Sequence, residues 1–203
     1  MSTLKGRMKS ELQILFSALC DGLRQEVRQR SLARLVTGQD FSLTKEREPG
    51  IAASLAWHLR LVGFAVQVDA YFAGGDPRRR PDFGIWLPAS KQYIYLGLKT
   101  TAWGNIGKQY YYAEAIDDIK KLDSETDPRN QRNGLIALGF SYNPEELGGR
   151  LWEGFKKLSQ DITSAYPYEE IGLECIDLQE MDKQSSYAVI GLWFRKSSKR
   201  IGG

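Results

Sequence analysis

Asp82 and Lys99 are the two residues whose types and spacing best fit chemistry. Asp82 follows a proline and opens an apolar run, Asp82–Leu87. Lys99 ends a second apolar run, Tyr93–Lys99. Turn formers Pro88, Ala89 and Ser90 separate the two, so the spacing predicts a β-hairpin. Pairing brings a carboxylate and an ammonium to the same end of adjacent strands. A surface Asp–Lys ion pair worth about 0–1 kcal/mol is one reading of that pair. A carboxylate that holds a metal beside a lysine that faces a phosphate is the other.

Three consecutive arginines, Arg78, Arg79 and Arg80, stand just before Pro81. They cannot all be buried, so some of them face solvent or a phosphate backbone. The hairpin with these arginines resembles the PD-(D/E)xK nuclease superfamily, whose fold is that of most restriction endonucleases. Pro81-Asp82 matches its first half. Gly97-Leu98-Lys99 falls where an acid, any residue and a lysine are expected, so Gly97 departs from the pattern.

The elements that must position these residues follow the same order. The spacing of Leu12, Leu15, Phe16, Leu19, Leu23 and Val27 predicts a helix over about 10–36, either continuous or broken at Gly22. It packs on its own core or offers a partner surface. A loop over 37–44 precedes a second helix, with Pro49 early, Ile51, Leu55, Leu59 and Val62 inward and Gly63 as its stop. Glu46 and Glu48 at its start complement the helix dipole. The resemblance gives Glu48 a further role, helping to hold or orient a metal ion.

Phe64–Phe72 alternates as a half-buried strand, and Gly74–Pro77 is a turn. Residues 100–107 read as a loop, and residues 108–123 as a helix with Tyr112, Ile116 and Ile119 inward. Glu114, Asp117, Asp118 and Lys121 share its polar face. That face is solvated, or, as in some relatives, the helix supplies the acid missing at 97, and Glu114 is then the residue placed to do so.

Gly134–Phe140 reads as a strand buried on both faces. Asn143-Pro144 signals the next helix, with Leu147, Leu151, Phe155, Leu158 and Ile162 inward. Ile171–Leu178 and Tyr187–Arg195 form a final antiparallel hairpin. The expected class is α/β: an αβββαβ core over about 48–141, with a mixed central sheet flanked by helices. Residues 1–40 form an N-terminal helical extension, and 41–203 form the nuclease-like α/β domain with its C-terminal hairpin.

Composition narrows the field. With 42% apolar and 26% charged residues among 203, the chain suits a globular core. No run reaches the ~20 apolar residues of a membrane span. The start, MSTLKGRMKSE, lacks the apolar region of a signal peptide, so no membrane association and a cytoplasmic location are expected. Cys20 and Cys175 are distant and read as reduced, buried thiols. One histidine, His58, leaves no ordinary zinc site. Net charge is +3 and the isoelectric point about 8.8. The basic residues cluster at Arg24, Arg28, Arg30 and Arg34, at Arg78–Arg80, and at Arg195, Lys196, Lys199 and Arg200. The last cluster reads as a solvated tail.

The resemblance implies a Mg²⁺- or Mn²⁺-dependent DNA endonuclease of restriction or phage-defence type. It makes Asp82 and the Leu98 carbonyl metal ligands, with Glu114 as a third. Lys99 sits beside the attacking water, and Arg78, Arg79 and Arg80 hold DNA. Cutting both strands of a duplex favours a homodimer. Gly97 allows three accounts: a substitution that silences a toxic activity, an acid migrated to Glu114, or a silent nucleic-acid-binding or assembly subunit on the same fold.

Overall fold

The computed structural model describes residues 4–39, 48–70, 81–101, 109–124, 132–141, 149–178 and 187–196. In chain order these form α1 (Leu4–Thr37), α2 (Glu48–Leu61), β1 (Ala65–Val68), β2 (Phe83–Leu87), β3 (Gln92–Thr101), α3 (Gln109–Ser124), β4 (Asn133–Ser141), α4 (Arg150–Ala165), β5 (Tyr168–Asp177) and β6 (Tyr187–Arg195). The six strands make one mixed sheet in the order β1-β2-β3-β4-β6-β5. Only β3 and β4 pair in parallel, with α3 between them in sequence; the other neighbours are antiparallel. The expected α/β class with a mixed sheet is what the chain adopts.

Helices cover both faces of the sheet. On one face, Leu12, Leu15, Leu19, Leu23 and Val27 of α1 and Ile51, Leu55 and Leu59 of α2 pack on Phe83, Ile85, Leu96, Leu98, Ile136 and Leu138. On the other, Ala115 and Ile119 of α3 and Phe155, Leu158 and Ile162 of α4 pack on Leu135, Ala137, Val189 and Trp193. Adjacent β4 residues therefore serve opposite cores, because side chains alternate along a strand. That accounts for its unbroken apolar run, every residue of which is buried.

Helix α1 is continuous through Gly22, which does not break it. A Cβ at Gly22 would lie 2.9 Å from the Cβ of His58, so the glycine lets α1 and α2 approach closely. Ser54 of α2 donates to Glu26 of α1 across this contact at 3.0 Å, and Arg30, one turn along α1, donates to the same carboxylate at 2.6 Å. Val62 lies beyond α2 and is 62% exposed, contrary to its expected inward place. Gly63, at φ +97, takes a left-handed turn that ends the helix.

Other boundaries move as well. Thr100 and Thr101 extend β3 rather than starting a loop, and β1 is only four residues long. Helix α4 begins at Arg150 with Gly149 extended at its N-cap, not at Asn143-Pro144. Asn143, Pro144 and Leu147 lie outside the described residues. The inward stripe of α3 is Ala115, Ile119 and Leu122; Ile116 is only partly buried, and the Tyr112 side chain lies outside the described set. Strand β5 starts at Tyr168 and carries a bulge between Glu170 and Gly172. Cys20 is buried, but Cys175 is only half-buried because β5 is an edge strand; both thiols are free. Among the described residues, no helix is long and apolar enough to cross a membrane.

Candidate active site

The β2–β3 hairpin forms in the expected place, with Phe83 opposite Leu96 and Leu87 opposite Gln92. Its turn is held from outside. The buried Glu11 carboxylate of α1 accepts the backbone N–H groups of Ala89 and Ser90 at 2.6 and 2.8 Å.

Pairing between β2 and β3 stops at Phe83–Leu96, whereas β3 runs on to Thr101. Along that overhang, the backbone groups of Leu98 and Thr100 point to the side that β2 has vacated, since alternate residues of a strand face alternate neighbours. A buried N–H without a partner costs about 1–3 kcal/mol. Two carboxylates satisfy these amides. Asp82 Oδ2 accepts the Leu98 N–H at 2.6 Å. Glu48 Oε2 accepts the Thr100 N–H at 3.0 Å and the Thr100 hydroxyl at 3.4 Å. Glu48 is the first residue of α2, so the helix start delivers it to the end of the sheet. The Leu98 backbone thus reaches Asp82 through its N–H.

Gly97, Lys99 and the α3 helix share the other side of β3. Continuing the β2–β3 register would place Asp82 opposite Gly97. A Cβ at Gly97 would stand 3.9 Å from Asp82 Oδ2, 3.5 Å from Leu122 Cδ1 and 3.6 Å from Leu135 Cδ1. Lys99 lies two residues further along, and its Nζ is 3.3 Å from Glu114 Oε2 and 3.7 Å from Asp118 Oδ2. Asp118 also pairs with Lys121 at 2.9 Å. The Lys99 ion pairs with Glu114 and Asp118 therefore run to α3, and Asp82 is held by the Leu98 amide.

The electrostatics tie these groups together. Burial pushes the Asp82 carboxyl up, the Leu98 amide pulls it back, and the charges of Glu48 and Asp118 raise it again, to about 6. For Lys99, burial lowers the ammonium's affinity for its proton, but Glu48, Asp118 and Glu114 together outweigh it and raise the pKa. Glu48 and Asp118 thus act on both Asp82 and Lys99.

Glu48, Asp82, Lys99 and Glu114, all expected from sequence, meet at this end of the sheet. Asp118 was assigned to a solvated face and is also there. It falls three residues after Ala115 and four before Leu122, within the buried stripe of α3, and that spacing was the signal that could have found it. Glu46 and Arg78, Arg79 and Arg80 lie outside the described residues. The basic cluster on α1 is partly engaged within the fold: Arg24 pairs with Asp21 and Glu174, and Arg30 with Glu26.

The donor chemistry suits a hard divalent ion. Mg²⁺ is usually bound through one or two carboxylates with its remaining sites filled by water and substrate oxygen. The upward pressure of Glu48 and Asp118 on the Asp82 carboxyl marks a local excess of negative charge. Among the described residues, no three His, Cys, Asp or Glu side chains group closely enough to form a ready-made metal cage. No family model matches the chain, and neither a curated protein nor a solved structure matches it.

Proposed function

We propose that the chain is a metal-dependent nuclease of the PD-(D/E)xK type that hydrolyses DNA phosphodiesters, with Mg²⁺ or Mn²⁺ as its ion. The observation that carries this reading is the convergence of Glu48, Asp82 and Lys99 on the overhanging end of β3. The element order α2-β1-β2-β3-α3-β4 supports the restriction-endonuclease-like core on which it rests.

Asp82 would hold the ion, with Glu48 orienting it from the same edge of β3 and the Leu98 carbonyl close by. The ion would supply a water of lowered pKa and relieve charge on the phosphate. Lys99 stays protonated, since its acidic neighbours raise its pKa. It acts as a fixed cation toward the developing negative charge rather than as a base. Arg78, Arg79 and Arg80 adjoin Pro81 in sequence and supply positive charge for the DNA backbone. A restriction or defence role and a homodimer follow if both strands of a duplex are cut.

A second reading has an observation of its own. The carboxylates of Asp82 and Glu48 already cap β3 amides, and Lys99 is already paired with α3 acids. A silent nucleic-acid-binding or assembly module on the same fold needs nothing more of them. Plasmid cleavage separates the two readings. The chain and its Gly97→Glu form are incubated with supercoiled DNA and Mg²⁺ or Mn²⁺. Cutting by either, lost in the matching Lys99→Ala variant, supports the nuclease; salt-sensitive DNA binding with no cutting by both supports the module.

A further inference from the structure

We infer that Asp118, and not Glu114, is the acid that works with Asp82 in place of a side chain at position 97. The inference rests on the nuclease reading above and assigns a residue within that site.

The empty position at Gly97 has a definite outlook. Its missing Cβ would face Leu122 and the Asp82 carboxylate. Asp118 is one helical turn before Leu122 on the same side of α3, so it faces the same end of the sheet as that space. Glu114 is a further turn away, toward the helix start.

Exposure points the same way. The Asp118 side chain is 24% exposed, that of Glu114 is 59% exposed, and the Lys99 side chain between them is 18% exposed. The Asp118 charge acts on both Asp82 and Lys99, and that of Glu114 acts on Lys99. Asp118 therefore lies against Lys99, and its charge acts on Asp82 as well. Lys121 and Lys99 fix its carboxylate from either side. Glu114 completes the charge balance of Lys99 from the solvent side.

The test is Mn²⁺ binding by the full chain, followed by electron paramagnetic resonance, alongside plasmid cleavage. Asp118→Asn should weaken Mn²⁺ binding by about tenfold or more, in the range seen when metal-site support is lost, and abolish cutting. Glu114→Gln should leave Mn²⁺ binding within about twofold. Adding Gly97→Glu to Asp118→Asn should restore both readouts, because a Cβ at 97 meets only ordinary contacts and a glutamate there returns an acid to the strand. The same addition should not rescue Asp82→Asn. Thermal melts confirm that each variant is folded.

Gly97→Glu alone gives an answer that does not depend on the Asp118 variant folding. A gain in Mn²⁺ affinity of no more than about threefold supports an acid already in place; a gain of about tenfold or more means the place was empty and overturns the inference, while leaving the nuclease reading intact. Loss on Glu114→Gln with none on Asp118→Asn does the same. If neither the chain nor its Gly97→Glu form binds Mn²⁺ or cuts DNA, the nuclease reading itself fails, and the inference with it.

Discussion

Asp82 and Glu48 grip the same bare edge of β3 two residues apart, one through the Leu98 amide at 2.6 Å and the other through the Thr100 amide at 3.0 Å. Each carboxylate thus has a structural duty beside the chemical one proposed for it. Substitutions that keep an acceptor oxygen will separate the two duties.

Asp82→Asn is the first such substitution. An asparagine oxygen can still take the Leu98 N–H, so the fold should persist, while cleavage should fall by about 100-fold or more with the loss of a metal ligand. Stability should change with pH in a definite sense. The folded carboxyl titrates at about 6 rather than 3.8, so the folded chain holds this proton more tightly than the unfolded one. Stability is therefore lost as pH rises from about 4 to about 6, and the full cost, roughly 1–3 kcal/mol, is carried above that. Asp82→Asn should raise the melting temperature at pH 8 and leave it unchanged near pH 4. Melts across this range check it; a loss at both ends would contradict it.

Lys99 should stay charged throughout the working range, because Glu48, Asp118 and Glu114 more than offset its burial. The rate of DNA cleavage should rise through pH ~6 as Asp82 ionises, with no fall between pH ~7 and ~9 from a lysine losing its proton. A bell-shaped profile peaking near neutrality would assign Lys99 a base's role instead. Lys99→Ala should lower the rate by about 100-fold while leaving DNA retention intact.

Gly97 carries no steric obligation. A Cβ there meets nothing closer than 3.5 Å, whereas at Gly84 and Gly134 the nearest atoms would lie at 2.1 and 2.7 Å. Gly97→Ala should thus stabilise the protein by about 0.5–1 kcal/mol by limiting the unfolded chain. Gly134→Ala should destabilise it, because one of its close neighbours is the Trp193 backbone carbonyl. Urea melts of the two variants test the contrast, and a destabilised Gly97→Ala would count against the space assigned to position 97.

Much of this arrangement could be read from the chain. The β2–β3 hairpin was legible because its apolar runs flank a turn of Pro88, Ala89 and Ser90, and Glu48 was legible as the head of a helix. The acid on α3 was not. Glu114 and Asp118 lie one turn apart on a polar face, and the spacing of Asp118 to Ala115 and Leu122, which turns it toward the sheet, is a weaker signal than its charge. The amide caps were also hidden, since they arise where β2 ends short of β3, a matter of register rather than of residue type. Helix α4 begins at Arg150 with Gly149 at its N-cap, while the Asn143-Pro144 signal lies outside the described residues.

Glu11 is the clearest purely structural acid. It is 7% exposed and accepts two turn amides. Glu11→Ala should cost roughly 2–3 kcal/mol, since it leaves both amides without their charged acceptor. For a domain of this size that is a fall of about 4–10 °C in melting temperature. Mg²⁺ binding should be unchanged once the variant is folded, because the turn lies at the opposite end of the hairpin from Asp82.

The claim that Asp82 and its neighbours hold a divalent ion is tested most directly by anomalous diffraction from crystals soaked in Mn²⁺. A manganese peak at inner-sphere distance, about 2.0–2.2 Å, from an Asp82 oxygen and close to Asp118 is the predicted result. Asp82 and Glu48 seated on their β3 amides, with manganese bound elsewhere or nowhere, would contradict the account.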